Sequence, residues 1–459
     1  MAMLDTDIGG ATIFALSSGT GRAGVAVIRV AGPSAGAVVD RMASPRPKPR
    51  YAAFRRVRHP ETGEVLDEAL VIWLPGPGTE TGEDMAELQI HGGAAVIRAV
   101  LQGLSCIAGC RMAEPGEFVR RAFHNGRLDL TAVEGLGDLI DAETEAQRRQ
   151  ALAQAQGGLA KLYERWRERL LIARGLAEAA IDFSDEDDVA EDAMVRARGE
   201  AKALLAEIDG HLNDGHRGEI VRDGFSVVLA GPPNVGKSSV LNALARRDVA
   251  IVSPEAGTTR DVLEVRLDLG GYAVVLADTA GLREAEGLVE QEGIRRTLGR
   301  VRDADLVLWL VDATNPVWER PADFDAAAER VLIVVNKVDL SGPGTGEHVP
   351  GGVITVSAVT GLGIAGLIER LRGEVAERLE ATSAGQLVPT QERQRVAIEE
   401  GAEALRRFLG GGGLVGESLG VELQAEELRL AADALGRVVG RFGVEDVLGE
   451  IFGRFCIGK

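Results

Sequence analysis

The sequence predicts a multidomain protein: an α+β N-terminal domain, an α-helical domain in two sequence halves, and an α/β domain inserted between the halves. Three observations predict this fold class. Short apolar runs separated by turn residues come first, alanine-rich helical periodicity follows them and returns near the end, and a strand, a glycine-rich loop and a helix open the region between. A chain of 459 residues is long enough for several cores.

Composition limits the compartment and the partners. Three cysteines do not make a disulfide framework, no N-terminal apolar run with a basic flank suggests export, and no segment resembles a membrane span. We therefore expect a cytoplasmic protein without membrane contact. The net charge of -19 repels nucleic acid, so any RNA contact must be local or supplied by a partner.

The predicted N-terminal domain covers residues 1–125. Its predicted strands are 12–16, 24–30, 68–74 and 85–91, and its predicted helices are 33–42 and 93–104. The basic run at 45–50 is interpreted as an exposed loop rather than an RNA contact. Cys106 and Cys110 lie four residues apart, but no second cysteine or histidine pair follows, so two buried thiols are favoured over a zinc site.

The helical domain is predicted in two halves, 126–221 and 381–459, which we expect to meet in space. The predicted helical stretches are 128–181, 194–213, 392–409, 424–439 and 444–452. The acidic run 184–192 is interpreted as a solvated connection or a helix N-terminus rather than a cation site. The glycines at 410–413 favour a helix connection over an RNA-binding loop.

A phosphate loop opens the inserted domain, which is predicted to cover residues 222–380. The apolar run 225–230 leads into Gly231, and the pattern G-x-x-x-x-G-K-S ends at Ser238. Glycines let the backbone N–H groups point at phosphate, at the positive end of a helix dipole. Lys237 would lie between the outer two phosphates, and the Ser238 hydroxyl would hold Mg²⁺. The flanking strand and helix favour this interpretation over a chance match.

Further loops follow in the order expected of a GTP site. Asp278-Thr279-Ala280-Gly281 stands where a second carboxylate near Mg²⁺ and a glycine that senses the γ-phosphate belong. Asn336-Lys337-Val338-Asp339 carries an amide and a carboxylate that can read guanine, whereas adenine offers the wrong polarity. Ser357-Ala358 fits the loop that closes over the base, and Gly257-Thr258-Thr259 can bring a threonine to Mg²⁺. The domain resembles the translation-factor-related class of small GTPases.

Other strands complete the predicted nucleotide-binding domain. A hairpin is predicted from 262–269 and 272–278, with strands at 306–311, 331–335 and 353–356 and a closing helix at 364–379. The residues predicted to contact GTP are Asn234, Val235, Gly236, Lys237, Ser238, Ser239, Ser253, Pro254, Glu255, Ala256, Gly257, Thr258, Thr259, Asp278, Thr279, Ala280, Gly281, Asn336, Lys337, Asp339, Ser357 and Ala358.

Beyond the GTP motifs, the whole chain resembles the MnmE (TrmE) family of tRNA modification GTPases. The segments that carry the resemblance are 24–30, 81–84, 87–89, 115–118, 128–130, 179–183 and the terminal Phe455-Cys456-Ile457-Gly458-Lys459. The resemblance implies work with the FAD-dependent protein MnmG (GidA), in a heterotetramer or larger complex. Together they would place a carboxymethylaminomethyl or aminomethyl group at C5 of the wobble uridine of certain tRNAs.

The same resemblance implies a folate site in an N-terminal domain that forms a homodimer. The ligand would be 5-formyltetrahydrofolate or a related tetrahydrofolate that carries one carbon. By position, its contacts are Arg29, Glu87, Arg127 and Lys459. Arg127 departs from the lysine that the family commonly carries, which keeps the charge but changes the donor geometry. Cys456 is interpreted as a thiol that supports the pocket rather than as a nucleophile.

Hydrolysis requires a source of positive charge that the motifs do not supply. Leu282 stands where many small GTPases have a water-orienting glutamine. The resemblance implies that K⁺, bound when two GTPase domains meet, supplies the positive charge that an arginine finger gives in other GTPases, with ligands from Asn234, Ser253, Glu255 and Thr258. Mg²⁺ would be held by Ser238 and Thr259.

Glu290 matches the family's water-orienting glutamate by position. The alternative is a solvated acidic helix face, because Glu284, Glu286 and Glu292 cannot be told from it by sequence alone. Two other functions are alternatives to tRNA modification: a ribosome-assembly GTPase switch, and a binding module gated by nucleotide without catalysis.

Overall fold

The structure is a computed structural model in which the chain divides into two compact units. It describes residues 10–19, 21–182, 187–247, 249–251, 264–278, 298–320, 322, 324, 330–341, 352–380, 387–410, 421–441, 445–455 and 457–458. Unit 1 comprises Met1–Gly137, Gln154–Glu186 and Gly420–Lys459, and unit 2 comprises Asp138–Ala153 and Asp187–Leu419. The chain therefore passes between the units several times.

Unit 1 contains a six-stranded sheet. Its strands are β1 (Thr12–Leu16), β2 (Ala23–Ala31), β3 (Ala52–Arg58), β4 (Val65–Leu74), β5 (Met85–Gly92) and β6 (Cys110–Met112), in the order β3-β4-β5-β2-β1-β6. Helices α1 (Ala35–Met42) and α2 (Ala94–Ser105) pack their apolar residues into the core of this sheet. The four predicted strands and both helices are confirmed. Sequence reasoning missed β3, which carries Arg55, Arg56 and Arg58 in seven residues, and β6, which has only three residues.

The remaining helices of unit 1 come from distant parts of the sequence. They include α3 (Glu117–His124), α6 (Gly158–Asp182), α12 (Val421–Val438) and α13 (Glu445–Gly453). Helix α6 buries Tyr163, Trp166 and Leu170 and packs along α12. The helical stretch predicted from 128 to 181 is confirmed, and it is divided into α4 (Leu130–Asp141), α5 (Glu145–Ala155) and α6.

Unit 2 has a helical part of its own. Its helices include α7 (Asp187–Leu212), α8 (Arg217–Asp223) and α11 (Glu392–Gly410), and α7 packs against α11. Helix α7 begins within the acidic run, which is one of the two predicted alternatives for that run. Helices before and after the inserted domain therefore meet, as expected: α6 packs against α12 in unit 1, and α7 packs against α11 in unit 2.

A buried ion cluster joins α7, α8 and α11 in unit 2. Arg395, whose side chain is 6% exposed, donates to Asp214 and to Glu219, each at 2.8 Å, and to the Leu212 carbonyl at 3.1 Å. The neighbouring His211 is buried, and this burial lowers its pKa to about 4, with opposing effects from Asp214 and Arg395. The cluster therefore holds a neutral imidazole beside a permanent charge.

The pH dependence of stability follows from His211. Its pKa is near 6.5 in the unfolded chain and about 4 in the folded one, so the unfolded chain binds the proton first as the pH falls. We expect full stability above pH 6.5 and a loss of about 2 kcal/mol by pH 5. Amide hydrogen exchange in α7, followed as a function of pH, measures this loss of stability. In His211→Gln this slope should flatten, while the exposed His124→Gln should leave it intact; equal slopes in all three proteins would contradict the prediction.

The inserted domain of unit 2 is built on a second six-stranded sheet. Its strands are β7 (Phe225–Ala230), β8 (Glu264–Asp268), β9 (Ala273–Asp278), β10 (Leu306–Asp312), β11 (Val331–Asn336) and β12 (Ile354–Thr355), in the order β12-β11-β10-β7-β9-β8. All pairs are parallel except the β8–β9 hairpin, which is confirmed. Helices α9 (Lys237–Ala245) and α10 (Ile364–Glu380) contribute to its core. Parallel strands place their carboxyl ends at one edge, where ligands bind in such sheets.

Two smaller predictions concern the surface. The basic run at 45–50 is an exposed loop apart from Pro47, as expected. The prediction of two buried thiols is wrong: Cys106, the residue after helix α2, is exposed, and Cys110, the first residue of β6, is half-buried. Within the described residues, no group of three or more His, Cys, Asp or Glu could hold a metal ion, and no helix has the length and apolarity to cross a membrane.

Candidate functional site

The phosphate loop connects β7 to α9 at the centre of the second sheet. Gly231 has φ of +144°, and a Cβ there would lie 2.6 Å from the Leu310 carbonyl oxygen. Gly236 has φ of +94°, and a Cβ there would lie 2.4 Å from the Asn336 amide nitrogen. Both positions therefore require glycine for backbone conformation and for space. The loop predicted from the sequence is present, and α9 begins at Lys237 immediately after it.

Lys237 and Ser238 lie where the motif predicts them. The Lys237 ammonium donates to the carbonyls of Gly231 and Pro232, each at 3.1 Å, so it folds back over the loop. The Ser238 hydroxyl donates to Asp278 Oδ2 at 2.5 Å, which joins the phosphate loop to the end of β9. The structure thus brings together the two motifs that were predicted to flank Mg²⁺.

The donor set at this point fits a hard divalent cation. Mg²⁺ prefers oxygen ligands and usually binds through one or two protein groups, phosphates and water. The Ser238 hydroxyl and the Asp278 carboxylate are such oxygens, at the N-terminus of α9 where phosphate is also favoured. Thr259, the other predicted Mg²⁺ ligand, lies outside the described residues.

The predicted base-reading loop also supports the phosphate loop. Asn336 is buried; its amide nitrogen donates to the Val235 carbonyl at 2.9 Å, and its oxygen accepts from Ala358 N–H at 3.1 Å. Only one amide hydrogen and one oxygen lone pair remain for guanine. Asp339 is exposed at the loop, so its carboxylate is the more accessible of the two groups predicted to contact guanine. Asn336 therefore fixes three loops together, a function that sequence reasoning missed.

Lys337, next in the loop, makes a second link to the phosphate loop. Its ammonium donates to the Asn234 carbonyl at 2.7 Å. Ser357 is buried, and its hydroxyl accepts from Thr360 N–H at 3.1 Å, which shapes the turn before α10. Four of the predicted nucleotide motifs are thereby placed side by side.

A second cluster lies in the first sheet, on β2 and β5. Arg29 pairs with Glu80 at 2.7 Å and approaches Glu87 Oε1 to 3.5 Å from Nε. That Nε is buried and has no hydrogen-bond partner among the described residues. A ligand that offers both donors and acceptors fits such an arginine–carboxylate pair.

The segment 79–84 connects this pair to Arg127. A Cβ on Gly82 would lie 3.3 Å from Arg127 Cγ, so the arginine stem packs against the loop that carries Glu80. Asn125 donates to the Thr81 carbonyl of the same loop at 2.7 Å. Arg29, Glu87 and Arg127 are therefore organised around one loop.

The C-terminal segment returns to the same sheet. Gly458 lies against the end of β1, where its carbonyl accepts from the Ser17 hydroxyl at 2.8 Å, and Ile457 forms a bridge with Pro115. Lys459 and Cys456 lie outside the described residues. Their neighbours place the end of the described chain beside the first sheet.

The family assignment follows from sequence comparison. Residues 130–456 match the family described as MnmE helical domain, and residues 12–127 match GTP-binding protein TrmE N-terminus. A tRNA modification GTPase MnmE of Methylorubrum populi is 53% identical over 449 residues, which cover 98% of each chain. This chain belongs to the MnmE family. It is therefore a GTP hydrolase that acts in tRNA modification, which favours this function over a ribosome-assembly switch and over a binding module without catalysis.

Other similar proteins agree with the MnmE assignment. An MnmE of Methylobacterium sp. (strain 4-46) is 53% identical over 98% of this chain and 99% of that protein. The human mitochondrial protein named 5-taurinomethyluridine-[tRNA] synthase subunit GTPB3 is 46% identical over 98% of this chain and 94% of its own length. Among solved structures, Aquifex aeolicus Era bound to GDP and AlF4⁻ is 25% identical, covers 39% of this chain and 66% of that chain, and has a TM-score of 0.26, too low to carry an argument.

Several residues predicted from the GTP motifs or from the MnmE resemblance fall outside the described part of the chain. They are Ser253, Pro254, Glu255, Ala256, Gly257, Thr258, Thr259, Thr279, Ala280, Gly281, Glu290 and Lys459. Their roles stay predictions.

One buried ion network beside the first sheet was not predicted. Glu117, 1% exposed, accepts two hydrogen bonds from Arg111, at 2.7 and 2.8 Å, and one from Arg121 at 3.0 Å. Arg121 is also 1% exposed and pairs with Glu83 in the loop that organises Arg127. One signal in the sequence could have indicated this network. The turn Pro115-Gly116 precedes a short helix that begins with Glu117 and contains two arginines. The network braces the loop of the second cluster.

Proposed function

We propose that this MnmE family member is a K⁺-activated GTP hydrolase that acts with an FAD-dependent partner of the MnmG (GidA) type. Together they install a carboxymethylaminomethyl or aminomethyl group at C5 of the wobble uridine of certain tRNAs, with the one-carbon unit taken from a tetrahydrofolate. The observation that carries the proposal is the joining of Ser238 to Asp278 at 2.5 Å, beside Lys237, in a chain that keeps its MnmE likeness from end to end. The word subunit in the human relative's name supports a partner.

In the GTP site, this chain's residues bind and orient the substrate. Lys237 would leave its carbonyl acceptors to meet the outer phosphates, while Ser238 and Thr259 hold Mg²⁺ and Asp339 accepts from the guanine. Asn234 is exposed on the loop, so its side-chain oxygen is accessible to K⁺ together with Ser253, Glu255 and Thr258. K⁺ supplies positive charge beside the transferring phosphate when bound. Glu290 would orient the attacking water.

In the N-terminal site, Arg29, Glu87, Arg127 and Lys459 would hold the tetrahydrofolate in a homodimer. The buried Arg29 Nε lacks a hydrogen-bond partner among the described residues, which supports this assignment because a bound ligand would satisfy it. Glu87 contributes the acceptor at the same place.

The cation dependence of GTP turnover tests the hydrolysis proposal. We expect the rate in KCl to exceed that in NaCl at equal ionic strength by at least about tenfold, because K⁺ replaces a missing charge that is worth far more in other GTPases. The measurement is phosphate release at saturating GTP and Mg²⁺, with choline chloride as the control for ionic strength. Equal, slow rates in KCl and NaCl would rule out the K⁺ mechanism.

The substrate is tested separately by mass analysis of tRNA nucleosides from a strain that lacks the gene. The wobble uridine should lose its C5 substituent, and the gene should restore it. An unchanged wobble uridine would remove tRNA uridine as the substrate while leaving GTP hydrolysis intact.

A further inference from the structure

The carboxylate of Asp312 lies beside the phosphate loop, and the mechanism above gives it no role. Asp312 ends β10, and its side chain is 19% exposed. Its Oδ2 accepts from the Lys337 ammonium at 2.6 Å, and its Oδ1 accepts from the Thr314 N–H at 2.9 Å and hydroxyl at 2.7 Å. Burial raises the pKa of Asp312, but the bonds from Lys337 and Thr314 outweigh it, so the net pKa is lowered. The group is an anion held in one orientation.

Lys337 is held between this anion and the phosphate loop. Its other acceptor is the Asn234 carbonyl at 2.7 Å. Both Lys337 and Asn234 have left-handed backbones, with φ of 65° and 60°, a conformation that costs a residue with a Cβ roughly 1 kcal/mol or more. Such backbones persist only where contacts hold them. The two hydrogen bonds that the Lys337 ammonium donates are among these contacts, together with one that the Lys337 carbonyl accepts from Leu340 N–H at 3.0 Å.

The neighbouring Asn336 provides a separate link that does not involve Asp312. Its amide bonds Val235 and Ala358, so the base-reading loop stays attached to the phosphate loop even without Lys337. A change at Asp312 should therefore act on Asn234 more than on guanine recognition.

We propose that Asp312 is a positioning residue that aims the Lys337 ammonium at the Asn234 carbonyl and so presents the Asn234 side chain for K⁺. The inference rests on the proposed function, since it takes Asn234 as a K⁺ ligand. Removal of the carboxylate charge would free the lysine, loosen the left-handed turn at Asn234 and weaken K⁺ binding, with little effect on GDP.

The test is a K⁺ titration of GTP turnover for wild type and Asp312→Asn, with fluorescent GDP binding as the second readout. We expect the K⁺ concentration for half-maximal activation to rise about tenfold, as for loss of a charged hydrogen bond, while GDP affinity changes less than about threefold. The maximal rate should recover at high K⁺. Glu319→Gln, an exposed carboxylate in the same domain, is the matched control and should titrate like wild type.

The possible outcomes separate the two proposals. K⁺ activation of wild type with an unchanged midpoint in Asp312→Asn overturns this inference alone, and so does a matching loss of GDP affinity. Absence of K⁺ activation in wild type overturns the proposed function and this inference together.

If Asp312→Asn does not fold, Thr314→Val is the second variant, because it removes one hydrogen bond to the Asp312 carboxylate. A K⁺ midpoint higher than that of wild type supports the inference, and an unchanged K⁺ midpoint overturns it.

Discussion

Lys237→Ala is expected to lower kcat/KM for GTP hydrolysis on the order of 10³-fold, because it removes a charged donor from the developing phosphate charge. The ammonium already lies over the phosphate loop, 3.1 Å from two of its carbonyls, and is buried. It therefore needs only a short movement to reach phosphate. The measurement is steady-state phosphate release at fixed K⁺ and Mg²⁺.

Two further variants make the Lys237 prediction specific. Lys161→Ala changes a lysine in helix α6 of the other unit and should leave the rate unchanged. Lys237→Arg keeps the charge with a planar fork, so it should recover GTP binding in part but not the full rate. A loss smaller than about tenfold in Lys237→Ala would contradict the assigned role.

Glu117→Gln is expected to destabilise the N-terminal part of unit 1 by about 3 kcal/mol, the typical cost of breaking a buried ion pair from one side. The change removes the charge that compensates Arg121, which is 1% exposed, and weakens the bidentate bonds from Arg111. Because the chain has more than one unit, a single unfolding free energy is not defined. Hydrogen exchange within α3 (Glu117–His124) reports the local value.

A matched control lies three residues away. Glu114 pairs with Arg120 at 3.2 Å, but its side chain is 61% exposed. Glu114→Gln should therefore cost less than about 1 kcal/mol. Similar losses in both variants would show that the Glu117 network contributes no more than a surface pair.

The ion network around Glu117 also makes the stability of this part of unit 1 depend on pH. Burial raises the pKa of Glu117, but the hydrogen bonds from Arg111, the Glu114 backbone and Arg121 outweigh this and lower it below the usual 4.5. The folded chain therefore holds the proton less well than the unfolded chain. The stability from Glu117 is full above pH 4.5 and is lost as the pH falls through the folded-state pKa. In Glu117→Gln this loss should be absent.

The sequence predicted the second sheet well because four of its six strands, β7, β9, β11 and β12, end in a motif with its own chemistry. The hairpin, the phosphate loop and the carboxyl-end loops all follow from local patterns of apolar runs and glycines. The breaks between α4, α5 and α6 could not be predicted in this way, since alanine-rich periodicity continues across them. Strand β3 was hidden because its arginines look like a solvated loop.

The candidate sites were predicted as types of residue rather than as contacts. Asn336 was expected to read guanine, yet its amide mainly bonds other loops, which depends on how Val235 and Ala358 fold around it. Glu117 and Arg121 were not singled out because charged residues on a short helix are usually solvated. Burial of both at 1% exposure results from tertiary packing, which local sequence does not specify.

The pairing of α6 with α12 has a consequence for synthesis of the chain. Roughly 240 residues separate the end of α6 from the start of α12. At about 5 to 20 residues per second, a ribosome needs on the order of 10 to 50 s to make that interval. During this time the apolar stripe of α6 that carries Tyr163, Trp166 and Leu170 has no final partner, so we expect this surface to be open to non-native contacts until translation is nearly finished.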